Sequence, residues 1–78
     1  MFVYLYHLKL PDSRIDWDCA IEYVVAAGTE KHARAIAAST PGDEGVGVWL
    51  AEASCVRVGT AAACVLPGTV IVRSFRAG

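Results

Sequence analysis

Acidic side chains close to tryptophan form two groups in this sequence. They are the strongest candidates for a functional role. The seven candidate partner-binding residues are Asp12, Asp16, Trp17, Asp18, Asp43, Glu44 and Trp49. An indole ring supplies area to bury in an interface, and carboxylates around it attract a cationic surface. This pattern predicts contact with a basic macromolecule. In the alternative interpretation, Trp17 folds back as a lid over the core.

Histidine and cysteine, the usual zinc ligands, are few and scattered along the chain. They are His7, His32, Cys19, Cys55 and Cys64, and their spacing matches no zinc finger or knuckle. We therefore expect no metal site. An odd number of widely spaced cysteines, with no CxxC pair, indicates reduced and mostly buried thiols. A Cys55–Cys64 bridge that closes a hairpin is the alternative.

The sequence carries no signature of a catalytic site. Nucleophilic catalysis requires a serine or cysteine beside a positioned histidine, and no GxSxG motif occurs. The glycine-bearing stretch 42–47 lacks the lysine and the helix start of a phosphate-binding loop, and its two carboxylates repel phosphate. We therefore predict a non-enzymatic protein without a cofactor.

Nucleic-acid binding has one argument in its favour. Arg73, Phe75 and Arg76 near the end of the chain, together with Tyr4 and Tyr6, predict a basic aromatic platform. The formal net charge of −1 argues against it. All eight acidic residues lie in the first 52 positions, whereas residues 53–78 carry three arginines and no acid. Direct nucleic-acid binding is thus disfavoured and stays an alternative.

The elements that must position these residues can be predicted from periodicity. Residues 2–10 have one wholly apolar or aromatic face and one that becomes polar toward its end, as in a strand covered on one side. Residues 19–27 are rich in β-branched and aromatic side chains and are expected to return as an antiparallel strand. Thr29 is suited to cap a helix over 30–39, which ends before Pro41. Further strands are expected at 46–51, 55–60 and 69–75, with Pro67–Gly68 in a type II turn.

Helical spacing places Ala33, Ile36 and Ala37 on the inward stripe of that helix. Lys31, Arg34 and Ala38 are expected to point away from the sheet. A helix of about ten residues is marginal alone and must lean on the sheet.

The summed pattern predicts an α+β fold in two layers. One short helix packs on an antiparallel sheet of four or five strands, in the order ββαββ(β). Seventy-eight residues make a single domain, 1–78. The apolar start of the chain lacks a basic region and a cleavage site, so we expect neither signal peptide nor anchor and no membrane contact.

Asparagine and glutamine are absent and alanine occurs 13 times, a bias typical of GC-rich coding. We interpret the chain as a cytoplasmic protein of a high-GC bacterium or of one of its phages. The fraction of hydrophobic residues is 55%, which leaves apolar surface for a partner or for homo-oligomerisation.

Two segments carry a resemblance to a known class of proteins. The run YVVAAGTEKHARAIAA with the Gly-Asp-Glu loop before VWL, and the ending SFRAG, resemble small bacteriophage and prophage proteins. Within that size class the chain is similar to anti-CRISPR inhibitors, compact αβ proteins that bind an RNA-guided surveillance complex. Its modest net charge departs from the strongly acidic, DNA-mimicking kind, and no residue roles are transferred.

Three functions follow as expectations. The first is a phage-encoded inhibitor that blocks a host protein or ribonucleoprotein complex with a basic surface, such as a CRISPR surveillance complex. The second is a homo-oligomeric structural or assembly module that pairs through its first or last strand. The third is a weak single-stranded nucleic-acid binder.

Overall fold

A four-stranded antiparallel sheet and one helix make up the computed structural model, which describes residues 2–77. The elements are β1 (Tyr4–Lys9), β2 (Cys19–Ala27), α1 (Glu30–Ala38), β3 (Ser54–Thr60) and β4 (Val70–Arg76). The strand order is β3-β1-β2-β4, with every neighbouring pair antiparallel. The predicted α+β architecture, a short helix on an antiparallel sheet, is confirmed.

Alternation along β1 and β2 separates a buried face from an open one. Leu8 lies opposite Tyr23 in the pairing of the two strands, and both side chains are fully buried under α1. Lys9 and Glu22, the next pair, lie on the other face of the sheet. The core therefore lies between the two central strands and the helix.

Helix α1 begins where the sequence predicts. The Thr29 hydroxyl accepts a hydrogen bond from the His32 backbone N–H at 3.1 Å, which satisfies one of the free donors of the first turn. Ala33 and Ala37 are fully buried against the sheet. Because these side chains are small, the helix axis lies close to the strands.

The predicted outward orientation of Arg34 and Ala38 is wrong. Ala38 is buried, and the Arg34 side chain is only 18% exposed. Its guanidinium donates to the backbone carbonyls of Trp49 at 3.2 Å and Ala53 at 2.7 Å, which lie beside the helix. Arg34 extends inward because these carbonyls need donors that the backbone does not supply.

The strand predicted at 46–51 is also wrong. Val48–Glu52 forms a single π-helical turn, which the Ala53 N–H closes on the Val48 carbonyl at 2.8 Å. Val48 and Trp49 are both buried, whereas Leu50 is half exposed. Six residues of alternation are too few to separate a strand from a helical turn.

Local turn chemistry explains the connection between β3 and β4. Gly68 has a φ of +96°, and the Thr69 N–H donates to the Leu66 carbonyl at 3.2 Å, as in the predicted type II turn. Within residues 2–77, no helix is long and apolar enough to cross a membrane.

Candidate functional site

The loop between β1 and β2 and the loop after α1 lie side by side. We call residues 11–18 and 40–47 the acidic loop pair. The Asp43 N–H donates to the Asp18 carbonyl at 2.7 Å, which joins the two loops directly. Gly42 makes this approach possible, because a Cβ there would overlap the Asp18 carbonyl oxygen and lie 2.8 Å from the Phe75 ring.

Glu44 fixes the loop after α1 to β2 and to the π-helical turn. One of its oxygens accepts the backbone N–H groups of Ala20 at 2.9 Å and Gly42 at 2.8 Å. The other accepts the indole N–H of Trp49 at 2.6 Å. Glu44 is half-buried with both oxygens engaged, so it positions the loop, and its role as a partner contact stays a prediction.

Trp49 does not lie at the surface, and its predicted role as a partner contact is wrong. Its side chain is fully buried and meets the Tyr23 ring edge-on, with centroids 4.8 Å apart. The π-helical turn directs the ring inward, and Glu44 satisfies its only donor. Trp49 is thus the largest side chain of the core.

Trp17 does lie at the surface, with 55% of the residue exposed. The interpretation as a lid on the core is therefore wrong. The Arg76 guanidinium lies 4.2 Å from the centroid of the ring, a cation–π arrangement. The Asp18 N–H donates to the Arg76 carbonyl, so the end of β4 holds this loop through both backbone and side chain.

A cleft of about 340 Å³ opens between the loops. Its lining includes Arg14, Asp16, Trp17, Asp43 and Glu44. Arg14 pairs with the Glu52 carboxylate at 3.1 Å. The fold thus brings two exposed carboxylates, Asp16 and Asp43, to one aromatic ring although they are 27 positions apart in the chain.

Asp12 and Asp18 do not line this cleft. Asp12 is exposed in the 3-10 turn Asp12–Arg14. Asp18 is exposed as well, and its backbone adopts a φ of +59°, the left-handed conformation that aspartate tolerates better than most residues. Both lie on the rim of the acidic loop pair and add negative charge around Trp17.

The thiols and imidazoles are not gathered into a reactive site. Among residues 2–77 no three His, Cys, Asp or Glu side chains are placed to hold a metal ion. All three cysteines are free: Cys19 is buried, Cys55 half-buried and Cys64 exposed. Burial raises the pKa of the Cys55 thiol; the charge of Glu30 raises it further and Arg34 opposes the shift. A raised pKa favours the unreactive thiol form.

The predicted aromatic platform for nucleic acid is not assembled. Tyr6 is buried, and Tyr4 carries the Arg57 guanidinium at 4.5 Å from its ring centroid. Arg73 donates from Nη2 to the Thr40 carbonyl at 2.9 Å and from Nε to the Tyr23 hydroxyl at 3.2 Å, so these two nitrogens already have partners in the fold.

Arg76 is the site residue that sequence reasoning misses in this role. Its partner Trp17 lies 59 positions earlier, and only the pairing of Cys19 on β2 with Arg76 on β4 brings them together. No local pattern in the sequence predicts that pairing.

Comparison of the chain with protein-family models, with curated proteins and with solved structures finds no significant match. Function is therefore inferred from this chain's own residues.

Proposed function

We propose that the protein is a non-enzymatic binding module that engages a basic protein surface through the acidic loop pair. The observation that carries this proposal is the exposed Trp17 ring at a cleft lined by the carboxylates of Asp16 and Asp43. An exposed indole offers a large area to bury, and nearby carboxylates speed the approach of a cationic partner.

The existing contact of Trp17 supports guanidinium groups as the preferred ligand. Arg76 already lies over the ring at 4.2 Å. A partner arginine can stack on exposed area of the same ring while Asp16 or Asp43 accepts its N–H donors. The recognised feature is thus an arginine-bearing segment of the partner.

The finer identity of that partner belongs to the same proposal. The resemblance to small phage proteins implies a host ribonucleoprotein, such as a CRISPR surveillance complex, whose nucleic-acid groove is basic. The protein then acts as an inhibitor by occupying part of that groove. Asp12 and Asp18 on the rim extend the negative surface toward it.

The test is affinity capture from a host lysate with the full chain as bait. We expect a stoichiometric partner that is lost with Trp17→Ala and weakened by Asp43→Asn. Ala62→Lys is a matched control, because it changes net charge by the same amount in an exposed turn at the opposite end of the sheet. Binding should also weaken as salt is added.

The proposal is overturned if no stoichiometric partner is captured, or if one is captured equally by the wild type, Trp17→Ala and Asp43→Asn. A partner lost equally with Ala62→Lys would reveal dependence on net charge alone, which also contradicts a defined loop site. Circular dichroism confirms that each variant is folded before capture.

A further inference from the structure

On the sheet face opposite α1, valines of both edge strands are exposed in the monomer. One row of residues crosses all four strands on this face: Val56 on β3, His7 on β1, Val24 on β2 and Val72 on β4. The outer valines, Val56 and Val72, are 55% and 50% exposed. An antiparallel sheet with one face in water normally carries polar residues there, so valines indicate a covered face.

The neighbouring row on the same face carries charge of both signs. It consists of Ser54, Lys9, Glu22 and Ser74, in the order of the strands. Lys9 and Glu22 occupy the two central strands, and the His7 ring nitrogen lies 2.8 Å from the Glu22 carboxylate. The row is therefore balanced in charge, which matches a partner that is itself balanced and not a polyanion or polycation.

We propose that this face binds a second copy of the chain, about a twofold axis that runs parallel to the strands between β1 and β2. Such an axis lays β1 of one copy over β2 of the other, and β3 over β4. Lys9 then faces Glu22 of the second copy, twice. Val56 faces Val72 of the second copy, and serine faces serine. A twofold interface must be self-complementary. The charged row and the outer valines meet that requirement, whereas His7 faces Val24 of the second copy.

The edges of the sheet are less suited to self-association. β3 and β4 are the two edge strands, and each pairs with its neighbour through a bulge or register shift. Arg57 on β3 and Arg73 on β4 add charge to these edges. Bulges and charged side chains are the usual means by which edge strands avoid pairing with another chain.

The size of the face sets the expected strength of the dimer. Four strands and about six residues of each give a face of roughly 19 by 20 Å, from the usual spacing and rise of β-strands. That is about 380 Å² of flat area, roughly half of the 800 Å² that each partner buries in a standard interface. We expect a dimer that dissociates on dilution.

Sedimentation equilibrium over a series of concentrations, up to the near-millimolar range, measures this association on the full chain. Val56→Lys and Val72→Lys should each shift the protein to monomer, because a buried lysine opposite valine is unpaired. Val56 and Val72 lie on opposite edge strands. Loss of the dimer with either substitution therefore indicates that the whole face forms the interface. Leu66→Lys, in the exposed turn before β4, is the control and should leave the dimer intact.

A monomer at every concentration overturns the proposal. So does a dimer that survives both valine substitutions. A dimer that is lost with only one of them also overturns the proposal, because that result indicates pairing through a single edge strand.

The charged row allows a sharper test of the axis. Lys9→Glu and Glu22→Lys should each weaken self-association by about tenfold or more, since like charges then face each other across the axis. An equimolar mixture of the two variants should recover a heterodimer, because every facing pair is again of opposite sign. Effects of each substitution within its own chain cannot restore association in the mixture.

Absence of a heterodimer in that mixture contradicts this axis. The double variant Lys9→Glu/Glu22→Lys restores opposite charges within each copy and should dimerise as the wild type does. Where a single variant fails to fold by circular dichroism, the valine variants still decide the proposal.

Discussion

The Glu44 carboxylate and the Trp49 indole form a 2.6 Å hydrogen bond that joins the acidic loop pair to the core. The same carboxylate accepts two backbone N–H groups, so one side chain positions the surface loop and satisfies the largest buried ring. The exposed carboxylates of the cleft therefore depend on an acidic residue that is itself turned inward.

Replacing Glu44 by alanine should destabilise the fold by about 2–3 kcal/mol, because three donors lose their acceptor and the indole N–H is buried. Urea denaturation measures the loss as a lower midpoint at unchanged slope. Asp43→Ala is the matched control on the neighbouring, exposed residue and should stay within about 0.5 kcal/mol of wild type. Equal effects at the two positions would contradict the role given to Glu44.

Gly42→Ala should destabilise the fold by about 1–3 kcal/mol, since its Cβ would overlap the Asp18 carbonyl and press on Phe75. Thermal unfolding should then show a midpoint lower by several degrees. Gly28→Ala serves as control, because nothing lies within 4 Å of a Cβ placed there. A Gly42→Ala variant as stable as Gly28→Ala would mean that the two loops are not in contact.

Arg34→Met keeps the length of the side chain but leaves the Trp49 and Ala53 carbonyls without their guanidinium donor. We expect a loss of about 1–3 kcal/mol in the free energy of unfolding. Lys31→Met makes the same kind of change on an exposed position of α1, where helix propensity is nearly unchanged. It should be close to neutral, and a similar cost at both positions would show that Arg34 lies in solvent.

The three thiols should react with iodoacetamide in the order of their exposure: Cys64 first, Cys55 slowly and Cys19 only on unfolding. Because burial raises the pKa of the Cys55 thiol above its ordinary value of 9.0, labelling of this residue should keep rising as the pH passes 9.0. Mass spectrometry of the labelled peptides measures both trends.

The same shift has a consequence for stability. A thiol whose pKa is raised in the folded state stabilises the fold while it is protonated, and this contribution is lost as the pH rises through the folded-state pKa. Stability should fall in that alkaline range, and less so in Cys55→Ala. A Cys55 that labels as fast as Cys64 at neutral pH contradicts the burial.

Features that depend on a few neighbouring residues can be predicted from this sequence. Thr29 caps α1 because its hydroxyl reaches a backbone N–H three residues on, and Gly68 forms a turn because it accepts a positive φ. Leu8 and Tyr23 are assigned to the buried face by alternation over strands long enough to define it.

Features that depend on residues distant in the chain cannot be predicted from this sequence. Trp49 lies in a short segment of the chain. Alternation over so few residues fits a strand and a helical turn equally well, so packing decides between them. Arg34 is directed inward by carbonyls that belong to that same turn. The approach of Arg76 to Trp17 follows from the pairing of β2 with β4, which hydrophobic periodicity does not determine.

The different surroundings of the two tryptophans allow a direct test of the site. Trp17 is exposed and Trp49 fully buried, so acrylamide should quench only part of the fluorescence of the native protein. Trp17→Phe should abolish the quenchable part, whereas urea should make both rings accessible. Arg76→Ala should increase quenching of Trp17, because the guanidinium at 4.2 Å no longer covers its ring. Arg57→Ala, which uncovers Tyr4 instead, is the matched control and should leave quenching unchanged. Quenching that is insensitive to Arg76→Ala would mean that the end of β4 does not reach the loop. Arg76 would then not cover the Trp17 ring that is exposed to a partner.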